Sequence, residues 1–199
     1  FFLWPSWEAV TSSFYLEDPF FGNATWVGME NYVSAVSSSD YARSAWFTAG
    51  FTAAIAVFSL ALALVLAVSA DAVLRGQGPY KTLLMWVYAI APPVAGLMGV
   101  MLFDQHIGPL VDFAALFGWE MRVGVDWWDS AIAMTVVATW KQVPVNFIFF
   151  LSGLQSIPKS LREASAIDCR SPTRRFWTIV FPLLAPPSFF LLVINITYA

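Results

Sequence analysis

The chain has 199 residues, of which 59% are hydrophobic and 12% are charged. That charged share is about half of the share usual in soluble domains, and a soluble domain of this size would leave large apolar patches in water. The composition therefore excludes an ordinary soluble enzyme and favours a protein whose solvent is lipid. One cysteine, Cys169, and one histidine, His106, provide neither a disulfide nor a histidine metal site, so we expect no cofactor.

Four stretches are apolar enough to cross a bilayer, which takes roughly 20 helical residues. They predict an all-α, polytopic transmembrane helical bundle. The second stretch is interrupted by Pro92-Pro93, a break that neighbouring helices can cover. Because both ends of the sequence lie in apolar runs, we expect residues 1–4 to be the outer end of a first helix. The four predicted spans are 44–70, 82–103, 130–157 and 176–199.

The basic residues predict the orientation of these spans. Seven of the ten fall in two connecting segments, 71–81 and 158–175. By the positive-inside rule these segments face the cytoplasm. The more acidic segments, 17–43 and 104–129, then face the periplasm.

The segment 158–175 carries the most informative pattern. Ser160 is followed three residues later by Glu163, the spacing of a capping box, so Ser160 is predicted to be the N-cap of a short helix. A second short helix is predicted to start at Ser171-Pro172. Two short helices with small apolar side chains suit a helix-in-groove contact with a partner.

The same segment resembles the cytoplasmic signature of the permease subunits of bacterial ABC importers. That signature is Glu-Ala-Ala, three residues, Gly, nine residues, Ile, one residue and Leu-Pro. The run LQSIPKSLREASAID is similar to the carbohydrate-type branch, and stretches such as YAIAPPVA are similar to the A-type permeases of sn-glycerol-3-phosphate importers. The departures are Ser165 for Ala, Cys169 for Gly and Phe181 for Leu. The matching positions are Glu163-Ala164-Ser165, Cys169, Ile179 and Phe181-Pro182.

The resemblance implies one partial permease domain over residues 1–199, with a cytoplasmic coupling loop at 158–175 and further helices beyond both ends. It implies a heterodimer with a second related permease, two ATPase subunits, a periplasmic solute-binding protein and surrounding lipid, and no nucleic acid. The multi-pass chain would translocate sn-glycerol-3-phosphate or a related glycerophosphodiester across the bacterial inner membrane by alternating access. Consistent with ATP hydrolysis on another subunit, the sequence has no GxxxxGK[ST] phosphate loop. The residues expected to couple the permease to the ATPase are Glu163, Ala164, Ser165, Asp168, Cys169, Ile179 and Pro182.

Lys141 lies near the middle of the third predicted span. An ionisable residue at that depth costs roughly 3 kcal/mol on insertion scales and marks a candidate functional site. Together with Gln142 and Asn146, we expect Lys141 to line the solute pathway and to attract an anionic phosphate. The alternatives are that Lys141 snorkels to an interface or pairs with the partner permease.

Other functions stay open on the sequence alone. The same machine carrying a neutral sugar or oligosaccharide would not need Lys141 in its pathway. An ion-coupled secondary transporter would usually show repeated halves, which the sequence lacks. A membrane enzyme acting on lipids would need a cluster of acid, base or nucleophile near one interface, and no such cluster is evident.

Overall fold

The computed structural model describes residues 2–17, 24–72, 77–168 and 171–198. The chain divides into two compact units, Phe1–Gly50 and Phe51–Ala199. Apart from one two-stranded hairpin, the described elements are helices, which confirms the predicted all-α class.

The first unit contains that hairpin, which the sequence did not predict because three-residue strands show almost no periodicity. Its elements are α1 (Leu3–Ser12), β1 (Tyr15–Glu17), β2 (Ala24–Trp26) and α2 (Glu30–Ser37). The strands are antiparallel, and Tyr15 lies opposite Trp26 with the ring centroids 5.0 Å apart. Asn31 Nδ2 donates to the carbonyls of Ser13 and Tyr15 and so ties α2 to the hairpin. The expectation that residues 1–4 are the outer end of a first helix is wrong in its bound, because α1 ends at Ser12.

Two helices are long and apolar enough to cross a membrane, α3 (Ser39–Ala72) and α7 (Trp127–Ser156). They correspond to the first and third predicted spans. The apolar residues of α3 are spread around its whole circumference. That distribution is typical of a helix surrounded by lipid and other helices rather than of a helix on the surface of a soluble domain.

The second predicted span is two helices rather than one, α4 (Gln77–Ala89) and α5 (Pro92–Leu102). Ile90 and Ala91 separate them, and Ala91 is extended, with ψ 141°. The two prolines that open α5 suit the first turn of a helix, but they have no N–H to offer the carbonyls of α4. Both helices pack against α7.

The fourth predicted span is also interrupted. α9 (Pro172–Arg175), a π-helical turn (Phe176–Val180) and α10 (Phe181–Leu183) follow one another without a gap. They meet α11 (Ala185–Tyr198) at an angle of 68°. With this bent pair counted as one span, the described residues contain up to three membrane-crossing segments. Two shorter helices lie in the connecting segments, α6 (Pro109–Ala115) and α8 (Lys159–Asp168).

The main core lies where α3, α7 and α11 meet. Ala63 and Ala67 of α3 are fully buried, in one cluster with Phe147 and Leu151 of α7 and Leu191 of α11. Small side chains on α3 allow the close helix contacts on which membrane bundles depend. This core holds the helices that frame the cavity described next.

Candidate functional site

A cavity of about 390 Å³ lies among α3, α5, α7 and α11, within the unit of residues 51–199. Its walls are mainly apolar. Gly96 of α5 leaves open space in the cavity, because a Cβ there would meet nothing within 4 Å, whereas Gly99 lets α5 approach Val137 of α7 closely. Among the described residues that line the cavity, Lys141 is the one with a formal charge. The polar side chains in the lining are Ser130, Lys141, Gln142, Asn195 and Tyr198.

Lys141 stands halfway along α7 and reaches across to the C-terminal end of α4. Its Nζ donates to the carbonyls of Val87 (3.1 Å), Tyr88 (2.8 Å) and Ile90. The ammonium also lies 5.6 Å from the centroid of the Tyr88 ring. The three N–H groups of the ammonium are thus matched by three carbonyls.

Gln142 and Asn146, predicted to share the pathway with Lys141, have different surroundings. Gln142 is buried and lines the cavity. Asn146 is fully buried one turn further along α7, where its Nδ2 donates to Ser59 Oγ (3.0 Å) and Asn195 Oδ1 (3.2 Å). The structure therefore brings Lys141 and Gln142 to the cavity, and connects Asn146 to it through Asn195.

Ser59 of α3 also belongs to this polar group, which the sequence did not predict. Ser59 Oγ donates to Asn195 Oδ1 at 2.9 Å, and Asn195 Nδ2 donates to Asn146 Oδ1 at 2.9 Å. A buried polar cluster of this kind joins three helices, α3, α7 and α11. The available sequence signal was a serine or asparagine inside each of three apolar stretches, which suggests mutual pairing but does not identify the pairs.

The electrostatics of the cavity follow from its composition. A positive charge in a mainly apolar space acts over a longer distance than it would in water, because the surroundings screen it weakly. Since the protons of Lys141 point at backbone carbonyls, the residue offers an anion its charge rather than a free hydrogen-bond donor.

The predicted coupling segment forms α8, although one detail of the prediction is wrong. Ser160 is not the N-cap, because the helix already begins at Lys159, directly after Pro158. Ser165 is buried, whereas Glu163 and Ala164 are exposed. Asp168 is the last residue of the helix, and Cys169 lies outside the described residues.

The second half of the signature coincides with an irregular helix. The predicted second helix does start at Pro172, with Ser171 as its N-cap. Ile179 is part of the π-helical turn, in which Phe181 N–H donates to the carbonyl five residues earlier, and Pro182 follows in α10. π-helical turns often mark functional positions.

Another ordered feature is the turn after α5, at the start of segment 104–129, which is predicted to face the periplasm. Asp104 Oδ1 accepts the backbone N–H groups of His106 (2.8 Å) and Ile107 (3.2 Å). These hydrogen bonds, chiefly the one from His106, hold the pKa of the Asp104 carboxyl below its usual range.

Comparison with known proteins places the chain in a family. Residues 77–199 match the family described as binding-protein-dependent transport system inner membrane component. The chain belongs to this family of permeases. It is therefore an inner-membrane component of a transport system, which confirms the resemblance seen in the sequence.

Named relatives cover the whole chain. The sn-glycerol-3-phosphate transport system permease protein UgpA of Brucella abortus is 46% identical in an alignment of 205 positions that covers 100% of this chain and 68% of the relative. The proteins of the same name from Rhizobium meliloti and Yersinia pseudotuberculosis are 44% and 42% identical, with the same shares covered.

Two solved structures share the fold. One is a bacterial ABC transporter involved in the import of the acidic polysaccharide alginate, with a TM-score of 0.75 at 18% identity. The other is a bacterial alginate ABC transporter in complex with an alginate pentasaccharide-bound periplasmic protein, with a TM-score of 0.70 at 19% identity. Each match covers 98% of this chain, which spans 66% and 65% of the length of the two solved chains. At such identities the likeness concerns the fold alone.

Proposed function

We propose that the chain is a permease subunit of an ATP-driven importer that carries sn-glycerol-3-phosphate, or a related glycerophosphodiester, across the bacterial inner membrane. The observation that carries this proposal is the 46% identity, over the whole chain, to a permease named for that solute. Because the match extends through the helices that frame the cavity, it includes the residues that a solute would meet.

The charge of the cavity supports an anionic solute. Glycerol phosphate is negatively charged at neutral pH, and Lys141 provides a positive charge at the cavity wall. Gln142, and Asn195 with its partner Asn146, place amide groups at the same wall or directly behind it. A neutral sugar would gain little from such a charge. The charge of the transported solute therefore distinguishes the proposed function from the alternative of a neutral-sugar permease.

Coupling to ATP hydrolysis would run through α8. In this proposal ATP is hydrolysed by two separate ATPase subunits of the complex, one of which binds the exposed side of α8 that carries Glu163 and Ala164. The π-helical turn around Ile179 would transmit the motion of that contact to α11. The complex would also contain a second, related permease subunit and a periplasmic solute-binding protein, and the chain would cross the inner membrane several times.

The proposal is tested by ATP hydrolysis in the reconstituted importer. The full-length permease is combined with its partner permease, ATPase and binding protein in liposomes, and sn-glycerol-3-phosphate is compared with maltose. We expect stimulation by sn-glycerol-3-phosphate alone. Stimulation by maltose alone would overturn the proposed solute, and stimulation by neither would do the same.

The coupling role of Glu163 is tested separately in the same ATP hydrolysis assay. We expect Glu163→Ala to lose most of the solute-stimulated hydrolysis while the complex still assembles. The control is Glu120→Ala, which removes an exposed acidic side chain from the loop after α6. Equal stimulation in both variants would contradict a role for Glu163 in coupling.

A further inference from the structure

The prolines that open α5 deprive the end of α4 of hydrogen-bond donors. In a continuous helix the N–H of residue 92 would donate to Tyr88 O, but Pro92 has no N–H. The N–H of Val94, which would donate to Ile90 O, donates to Ala91 O instead, at 3.0 Å. Inside a membrane there is no bulk water to bind such carbonyls, so another donor must.

Lys141 is that donor. Its ammonium bonds to the carbonyls of Tyr88 and Ile90 and to that of Val87, which also accepts the N–H of Ile90 at 3.3 Å. A cation is favoured at this position because the C-terminal end of a helix carries a partial negative charge. The face of the Tyr88 ring adds a cation–π contact.

From this geometry we infer that Lys141 is the C-terminal cap of α4 and holds the proline-broken span against α7. Two features that are each unfavourable in a membrane, a lysine at mid-helix and unpaired carbonyls, compensate each other. The inference goes beyond the proposed function, because the cap is needed whatever solute the permease carries.

The cap is a positioning device for the cavity. Gln142 follows Lys141 on α7, and Pro92 and Gly96 of α5 line the same cavity. Because Lys141 ties α7 to the end of α4, it sets where α5 begins relative to Gln142. Loss of the cap would let the break between α4 and α5 move, and the wall would move with it.

The two prolines permit a specific test. Replacing them restores the N–H that a continuous helix would donate to Tyr88 O, and it lets the helix continue so that the N–H of Val94 can reach Ile90 O. The full-length permease in its complex, in lipid nanodiscs and without solute, is prepared as wild type, as Lys141→Met and as Lys141→Arg. Each is also made in a Pro92→Ala/Pro93→Ala background. We expect Lys141→Met to lower the midpoint of thermal unfolding on the order of 5 °C, and Lys141→Arg, which keeps the donors, to lower it by less than half as much.

The proline background decides between a cap and other roles. With donors restored at residues 92 and 93, we expect Lys141→Met to lower the midpoint by less than half of its effect in the wild-type background. An equal loss in both backgrounds would overturn the cap. If Lys141→Met does not assemble at all, recovery of assembly in the proline background is the supporting result, and failure in both backgrounds counts against the inference.

Two further readouts separate capping from direct solute binding. Without solute, hydrogen exchange at the amide of Ile90 should accelerate at least tenfold in Lys141→Met, since its acceptor Val87 lies in the capped turn. In the transport assay the maximal rate of Lys141→Met should also fall, in addition to any rise in the half-saturating solute concentration that the loss of the charge causes. Unchanged exchange with a large rise in that concentration would assign Lys141 to the solute. Because the unfolding and exchange measurements use no solute, their outcome does not depend on whether the proposed solute is right.

Discussion

Asn146 on α7 and Asn195 on α11 exchange side-chain hydrogen bonds. Asn195 Nδ2 donates to Asn146 Oδ1 at 2.9 Å, and Asn146 Nδ2 donates to Asn195 Oδ1 at 3.2 Å. Ser59 of α3 completes the cluster by donating to Asn195 Oδ1. All three side chains are buried. Because each comes from a different helix, the cluster fixes the register of α3, α7 and α11 at one level of the bundle.

Removing one member of this cluster should be worse than removing all three. Asn195→Leu leaves the amide of Asn146 and the hydroxyl of Ser59 buried with fewer partners, and we expect a loss of about 1–3 kcal/mol in the free energy of unfolding. Ser59→Ala/Asn146→Leu/Asn195→Leu leaves no unpaired group and should recover most of that loss. Denaturation of the purified permease in detergent measures both. A triple variant less stable than Asn195→Leu would show that the helices need the polar contact itself.

The sequence predicted the long helices well because each is an uninterrupted apolar run. α3 and α7 needed only length and hydrophobicity, so their prediction did not depend on tertiary contacts. The break between α4 and α5 was signalled by its prolines, but its consequence was not, because the donor that compensates for them lies about 50 residues later in the sequence. The bend of 68° before α11 was likewise not predicted.

Because α5 lies close to α7 at Gly99, we expect any side chain at this position to destabilise the protein. A Cβ there would lie 2.8 Å from Val137 Cγ2, so Gly99→Ala must push the two helices apart. We expect a loss of about 1–3 kcal/mol in the free energy of unfolding. Gly96 is the matched control on the same helix, because a Cβ there meets nothing within 4 Å. Gly96→Ala should leave the stability unchanged or slightly raised.

A second substitution, at Val137, tests whether the clash causes the loss of stability in Gly99→Ala. If the clash with Val137 is responsible, Gly99→Ala/Val137→Ala should regain stability relative to Gly99→Ala alone. No regain would mean that Gly99 matters for another reason, such as the flexibility of α5.

Residue types alone predicted only part of the candidate site. Lys141 was recognised as exceptional because a charge in an apolar run is costly. The sequence offered phosphate attraction, snorkelling or a partner subunit as its role, and the observed contacts are to backbone carbonyls. Every residue has a backbone carbonyl, so residue types cannot show which carbonyls lack a donor. That need follows only from the structure, in which α4 ends beside α7.

The turn at Asp104 should be insensitive to pH in the neutral range. The folded-state pKa of this carboxyl is lowered, so its contribution to stability is present above the unfolded value of about 3.9 and is lost as the pH falls through the lower folded value. Protection of the Ile107 amide against hydrogen exchange, corrected for intrinsic rates, should therefore be constant from about pH 5 to 8. Asp104→Ala should abolish that protection, and Asp104→Asn, whose amide oxygen still accepts, should keep most of it.

An opposite outcome for this turn is also informative. His106 Nδ1 lies 3.8 Å from Asp104 Oδ1. If protection of Ile107 instead changes between pH 5 and pH 8, the backbone hydrogen bonds to Asp104 are not what controls the turn.

The π-helical turn at Phe176–Val180 contains one residue more than an α-helix would place there. Deleting Thr178 should convert it to an α-helical turn and keep the helical residues on either side in register. The wide turn that is proposed to transmit motion from α8 to α11 would be gone, so we expect assembly to persist and solute-stimulated ATP hydrolysis to be lost. Thr178→Ala is the control, because it removes only the hydroxyl bond to Arg174 O and keeps the residue count. A deletion variant that retains full stimulation would show that coupling does not depend on the wide turn.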